Sequence, residues 1–89
     1  MKIKKEFLMR KVADSWIVVP IDKEAEKFNG MISLNESGAF LWNLLTDGNT
    51  RSGLVDALCT EYKVDRDEAE ADVDAFIESL NTINCLIDQ

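Results

Sequence analysis

Apolar positions change period along the chain. Phe7 to Val12 and Ser15 to Pro20 are short β-rich runs separated by Ala13-Asp14, the spacing of a hairpin, with Trp16 and Val18 on one face and Ile17 and Val19 on the other. Pro20 closes the second run. Residues 21 to 29 mix charges without apolar periodicity and read as a loop with room for a helical turn around Lys23 to Lys27. Gly30 lets the chain re-enter as a short third strand, Met31 to Leu34.

At Asn35 the period changes to that of a helix. Asn35 is placed to cap the first amides, Glu36 puts negative charge in the first turn, and Phe40, Leu41, Leu44 and Leu45 supply a buried face. This helix should run from Glu36 to Thr46 and stop at Asp47-Gly48, where glycine takes the left-handed conformation. Thr50 caps a second helix whose apolar stripe is Leu54, Val55, Leu58, Cys59 and Tyr62, with Gly53 in its first turn. Lys63-Val64 is a turn, and Asp65 with Glu68 opens a third helix in the manner of a capping box. Ala69, Val73, Phe76, Leu80 and Ile83 recur at four, three, four and three residues, a strong helical signal. Cys85 to Ile87 reads as a short terminal strand or extended tail. The element order predicts an α+β fold, winged-helix-like, with a three-stranded antiparallel β unit followed by a three-helix bundle.

At 89 residues, with 46% hydrophobic content, the chain is expected to form one domain, 1–89, with one modest core. Its apolar runs are shorter than the ~20 residues of a membrane span, and the Lys-rich start leads straight into Arg10-Lys11, so neither an anchor nor a signal peptide is expected and a cytoplasmic protein is. Cys59 and Cys85 lack a C-x-x-C partner, and there is no histidine, so both read as small buried hydrophobes and no metal or cofactor is expected.

Charge narrows the function classes. Residues 1–27 carry seven Lys/Arg against five Asp/Glu, and residues 28–89 carry three against twelve, so the net charge of -7 is concentrated in the C-terminal part. The second and third helices have the order of a helix-turn-helix, but the candidate recognition helix bears Asp67, Glu68, Glu70, Asp72, Asp74 and Glu78 with Arg66 as its only base. Such a surface repels phosphate backbones. The carboxylates read as a solvated helix face, and no G-x-S-x-G, glycine-rich phosphate loop or activated cysteine is present, so catalysis is not expected.

Binding remains. On the third helix, Ala69, Val73, Phe76, Leu80 and Ile83 fall within about 80°, and Ile77 widens the stripe on one flank to ~120°. If the third strand lies at a sheet edge beside that helix, its free amides and carbonyls plus an apolar trough would form a slot for an extended peptide.

The strand-to-helix corner also carries a resemblance. "LNESGAFLW", with "WIVVP" before it and "LLTDG", "LVDALCTEY", the acidic helix and "LID" after it, resembles the PqqD family, named for pyrroloquinoline quinone biosynthesis. The resemblance implies a non-catalytic peptide chaperone, or RiPP recognition element. Such a protein holds the leader of a ribosomally made precursor and presents it to a maturase acting in trans, often a radical S-adenosylmethionine enzyme. It implies leader addition beside Met31, Ile32, Ser33 and Leu34 and packing on Val73, Phe76, Ile77 and Leu80 of the helix over 66–83, with no cofactor, nucleic acid or membrane partner. A monomer or weak homodimer is expected. The alternative is a winged-helix transcriptional regulator or a general protein-interaction adaptor.

Overall fold

The computed structural model of the protein describes residues 1–21 and 32–87. In chain order its elements are β1 (Lys2–Ile3), β2 (Phe7–Val12), β3 (Ser15–Pro20), β4 (Ile32–Leu34), α1 (Glu36–Thr46), α2 (Arg51–Tyr62), α3 (Arg66–Thr82) and β5 (Leu86–Ile87). β2, β3 and β4 form an antiparallel sheet in that order, followed by the three helices, which is the predicted α+β arrangement. The suggested turn at Lys23 to Lys27, and Gly30 and Met31, lie outside the described residues.

Register explains which side chains reach the core. Phe7, Met9 and Lys11 stand opposite Pro20, Val18 and Trp16, while Leu8, Arg10 and Val12 stand opposite Val19, Ile17 and Ser15. Phe7 and Val18 are buried and Leu8 and Val12 exposed, so the first set marks the inner face. On the next rung Val18 pairs with Ile32, Ile17 with Ser33 and Trp16 with Leu34. Ile32 and Leu34 therefore turn inward and Ser33 outward.

Each helix begins where a side-chain oxygen satisfies an otherwise unpaired amide. Asn35 Oδ1 accepts from the Gly38 N–H at 2.8 Å, Thr50 Oγ1 from Gly53 at 2.9 Å and Asp65 Oδ1 from Glu68 at 2.9 Å. Gly48 has φ 98°, the left-handed geometry expected of the residue that follows α1. Gly53 leaves room for Asn49, whose Oδ1 a β-carbon at 53 would strike.

The core joins Ile3, Phe7 and Val18 to the inner faces of all three helices and to Ile83 and Cys85. The α2 and α3 stripes pack as their periodicity predicts, with Cys59 and Tyr62 half-buried. In α1 the buried arc is shifted: Ala39, Leu41, Trp42 and Leu45 are buried, whereas Phe40 and Leu44 are only half-buried. The shift follows from α1 touching β1, β4 and α2 together, which asks for an arc wider than one stripe. Phe40 instead meets Tyr62 edge-on, at 5.7 Å between ring centres.

The terminal strand expected at Cys85 to Ile87 forms over Leu86–Ile87 and pairs antiparallel with Lys2–Ile3. Two residues on each side carry no usable period, so this second sheet is not readable from apolar pattern. Cys59 and Cys85 are free thiols; burial pushes the Cys85 thiol up to about 11, and its Sγ lies 3.5 Å from the Leu80 carbonyl oxygen. Among the described residues, no helix is long and apolar enough to cross a membrane.

Candidate functional site

β4 is the end strand of its sheet. Among the described residues its hydrogen-bonding partner is β3 alone, so one edge of Ile32–Leu34 has no strand beside it. A cavity of about 390 Å³ opens along that edge. One wall is Ser33 and Leu34 with Asn35 at the corner; the floor is Ser37, Gly38 and Leu41 of α1; the far wall is Asp72, Ala75, Phe76 and Ser79 of α3. The short β4 runs directly into the Asn35 cap, and this brings the strand edge and the first turn of α1 into one concave surface. Gly38 keeps the floor low, because a β-carbon there would come within 3.2 Å of both Leu34 Cβ and Asn35 Oδ1.

The residues expected to bind a peptide are distributed unevenly around this groove. Ser33, Leu34 and Phe76 line it, and Ile32 is half-buried on the adjoining inner face. Met31 lies outside the described residues. Val73 and Leu80 are completely buried in the core, so they support the α3 wall from behind and have no surface for a ligand. Ile77 is half-buried and is not part of the groove lining. At 100° per residue it lies about 160° around the helix from Ser79, on the opposite flank.

Asp72, Ala75 and Ser79 on α3, together with Asn35, Ser37, Gly38 and Leu41, are the groove residues that the sequence did not mark as peptide-binding. The apolar stripe locates the core face of α3, whereas a groove rim is the boundary between that face and solvent. Asp72, Ala75 and Ser79, all exposed, sit on that boundary beside Phe76. Their spacing of three and four is the signal that could have found them.

Two more cavities meet the groove at the corner. One, about 290 Å³, is bounded by Asn35, Glu36, Ser37, Leu58, Tyr62, Val64 and Asp72. The other, about 370 Å³, is bounded by Lys11, Asp14, Trp16, Leu34, Asn35 and Glu36. Lys11 lies over the Trp16 ring, 5.3 Å from its centre. The Tyr62 hydroxyl is held above its ordinary pKa by burial first and then by the charges of Glu36 and Glu61.

Cations on the acidic helices are already engaged. Arg51 donates to both carboxylate oxygens of Asp74, at 2.7 and 2.9 Å, and holds that carboxyl below its ordinary range. Arg66 donates to Asp56 at 2.8 Å and lies 3.7 Å from Glu70. Among the described residues no cluster of three or more His, Cys, Asp or Glu is arranged to hold a metal ion. The groove offers main-chain hydrogen-bonding groups, a mixed polar and apolar lining and the Asp72 carboxylate at its rim, which suits an extended peptide.

The family model described as Coenzyme PQQ synthesis protein D (PqqD) matches residues 15–86. The chain is similar to the solved structure of TbiB1 in complex with the TbiA(beta) leader peptide, with a TM-score of 0.76 and 27% identity, covering 100% of this chain and 98% of that one. Its fold is also that of lasso peptide synthetase B1 complexed with the leader peptide, with a TM-score of 0.73 and 21% identity over 98% of this chain and 96% of that one. No curated protein matches at a significant level.

Proposed function

Because the chain belongs to the PqqD family, we propose that it is a non-catalytic recognition element: it captures the leader of a ribosomally made precursor peptide and presents it to a modifying enzyme acting in trans. The observation that carries this reading is the edge of β4 that no other strand pairs with among the described residues, alongside the groove between β4, α1 and α3. The leader adds as a fourth strand. Its alternate side chains then fall on the inner side, next to Ile32 and Leu34, where Ala75 and Phe76 receive them. The intervening side chains stand beside Ser33 and face solvent.

Backbone pairing contributes roughly 0.5–1.5 kcal/mol per hydrogen bond, and contact with Ala75 and Phe76 adds selectivity at alternate leader residues. The reading needs no catalytic group from this chain: its part is to order a flexible leader so that the core of the precursor reaches the enzyme. A radical S-adenosylmethionine enzyme is one fitting maturase class. Duplex DNA fits poorly, because α3 exposes Asp67, Glu68, Asp72, Asp74 and Glu78, and its Arg66 is paired with Asp56.

The test fills the groove without touching the core. Ala75 is exposed and lines the α3 wall, so Ala75→Trp places an indole in the path of the leader at a helix-propensity cost of well under ~1 kcal/mol. The probe is a peptide selected on the parent protein from a random 15-residue library. Its affinity should fall at least about tenfold, roughly 1.4 kcal/mol, while the thermal transition stays close to that of the parent protein. Undiminished affinity in the folded variant would remove the groove from the reading.

A further inference from the structure

We propose that the cavity next to the groove is an anchor pocket for one basic side chain, lysine or arginine, of the bound leader. The proposal rests on the peptide-binding reading above and names a specificity within it.

The cavity has two chemically distinct sides. Leu58, Tyr62 and Val64 form apolar and aromatic walls, while Glu36 and Asp72 put carboxylates at the rim. Lysine and arginine match such a site because their methylene stems cover apolar surface while the charged head reaches outward. Arginine adds a planar donor set that suits carboxylates and the face of a tyrosine. An aliphatic or aromatic side chain would fill the same walls but leave both carboxylates without a partner, and an acidic one would be repelled.

Continuity with the groove makes the pocket reachable. Asn35, Ser37 and Asp72 border both cavities, so a chain lying along β4 can send one side chain across the first turn of α1 and past Asp72. The negative field extends into the pocket, since the charge of Glu36 helps to hold the Tyr62 hydroxyl protonated. Of the nearby cations the two arginines are engaged elsewhere, and Lys63, between Tyr62 and Val64, is exposed and is not part of the pocket lining. Arg51 pairs with Asp74, and Arg66 with Asp56 and Glu70, and neither Glu36 nor Asp72 enters an ion pair among the described residues. Lys11, in the adjoining cavity, is placed over Trp16.

The experiment uses a phage-displayed library of random 15-residue peptides, sorted on the intact protein and on the double variant Glu36→Gln/Asp72→Asn. Both residues are exposed, so the variant retains its core. Peptides selected on the parent protein should shift the amides of Ile32 to Leu34 and the methyls of Val64, and should share a Lys or Arg at one position. They should bind the double variant about tenfold more weakly, the loss expected for two partly exposed ion pairs, and a Glu36→Lys/Asp72→Lys variant should select Asp or Glu at that position instead. If selected peptides shift Ile32 to Leu34 but carry an aromatic, an aliphatic or no preferred residue there, the anchor pocket is wrong and the groove reading stands. If no selected peptide shifts Ile32 to Leu34, the groove reading fails and the anchor pocket with it.

Discussion

Asn35 is shared by the fold and the site. Its Oδ1 accepts from the Gly38 N–H at 2.8 Å and the Ser37 hydroxyl at 3.0 Å, and its side chain borders all three cavities at the corner. Asn35→Ala removes the cap and should lower stability by about 1 kcal/mol, whereas Asn35→Asp keeps an acceptor and should be nearly neutral, as measured by urea denaturation. Equal loss in both would mean that the cap is not what the residue contributes. Gly38 depends on the same geometry: with 3.2 Å to Leu34 and Asn35, an added methyl group would press the start of α1 against β4. At this scale the sequence was informative, because a capping oxygen announces itself by residue type and position. Asn35, Thr50 and Asp65 all cap where they were expected.

At the scale of elements, legibility depended on how many residues share a period. The five-residue apolar repeat of α3 and the alternation in β2 and β3 were readable, since each position repeats the same physical demand. The pairing of Lys2–Ile3 with Leu86–Ile87 was not, because two residues establish no period and their partner lies at the other end of the chain. The groove falls between these cases. Its two sides, β4 and α3, could be named from sequence, but which flank of α3 faces β4 is fixed by packing of the whole bundle. Periodicity therefore pointed to Ile77, while the groove is lined by Asp72, Ala75 and Ser79. Strand geometry supplies a test of its own. Inward and outward amides alternate along an antiparallel strand, so of Ile32→Pro and Ser33→Pro one breaks a bond to β3 and loses stability. The other should keep the fold, lose an outward donor and bind a leader more weakly. Parent-like leader affinity in both folded variants would argue against strand addition.

At the scale of the whole molecule, a two-stranded sheet joins the start of the chain to its last described residues, and the proposed binding edge belongs to the other sheet. β1 pairs with β5, and the Met1 amino group donates to the Asn49 carbonyl at 2.9 Å while the Asn49 N–H donates back to Met1 at 2.9 Å. These contacts fix the bundle ends without drawing on the free edge of β4. Negative charge is concentrated in residues 28–89, and Asp72 borders the groove, in keeping with the basic leader proposed above. A sheet edge gives a fold of this size a means of recognition that uses main chain already in place. The most direct test is an amide-NMR titration of the intact protein with a peptide selected on it from a random 15-residue library. Shifts concentrated at residues 32–38 and 72–79, with slowed exchange of the outward amides of β4, are the predicted result; shifts confined to the outer face of β2 and β3, with β4 unchanged, would contradict the account.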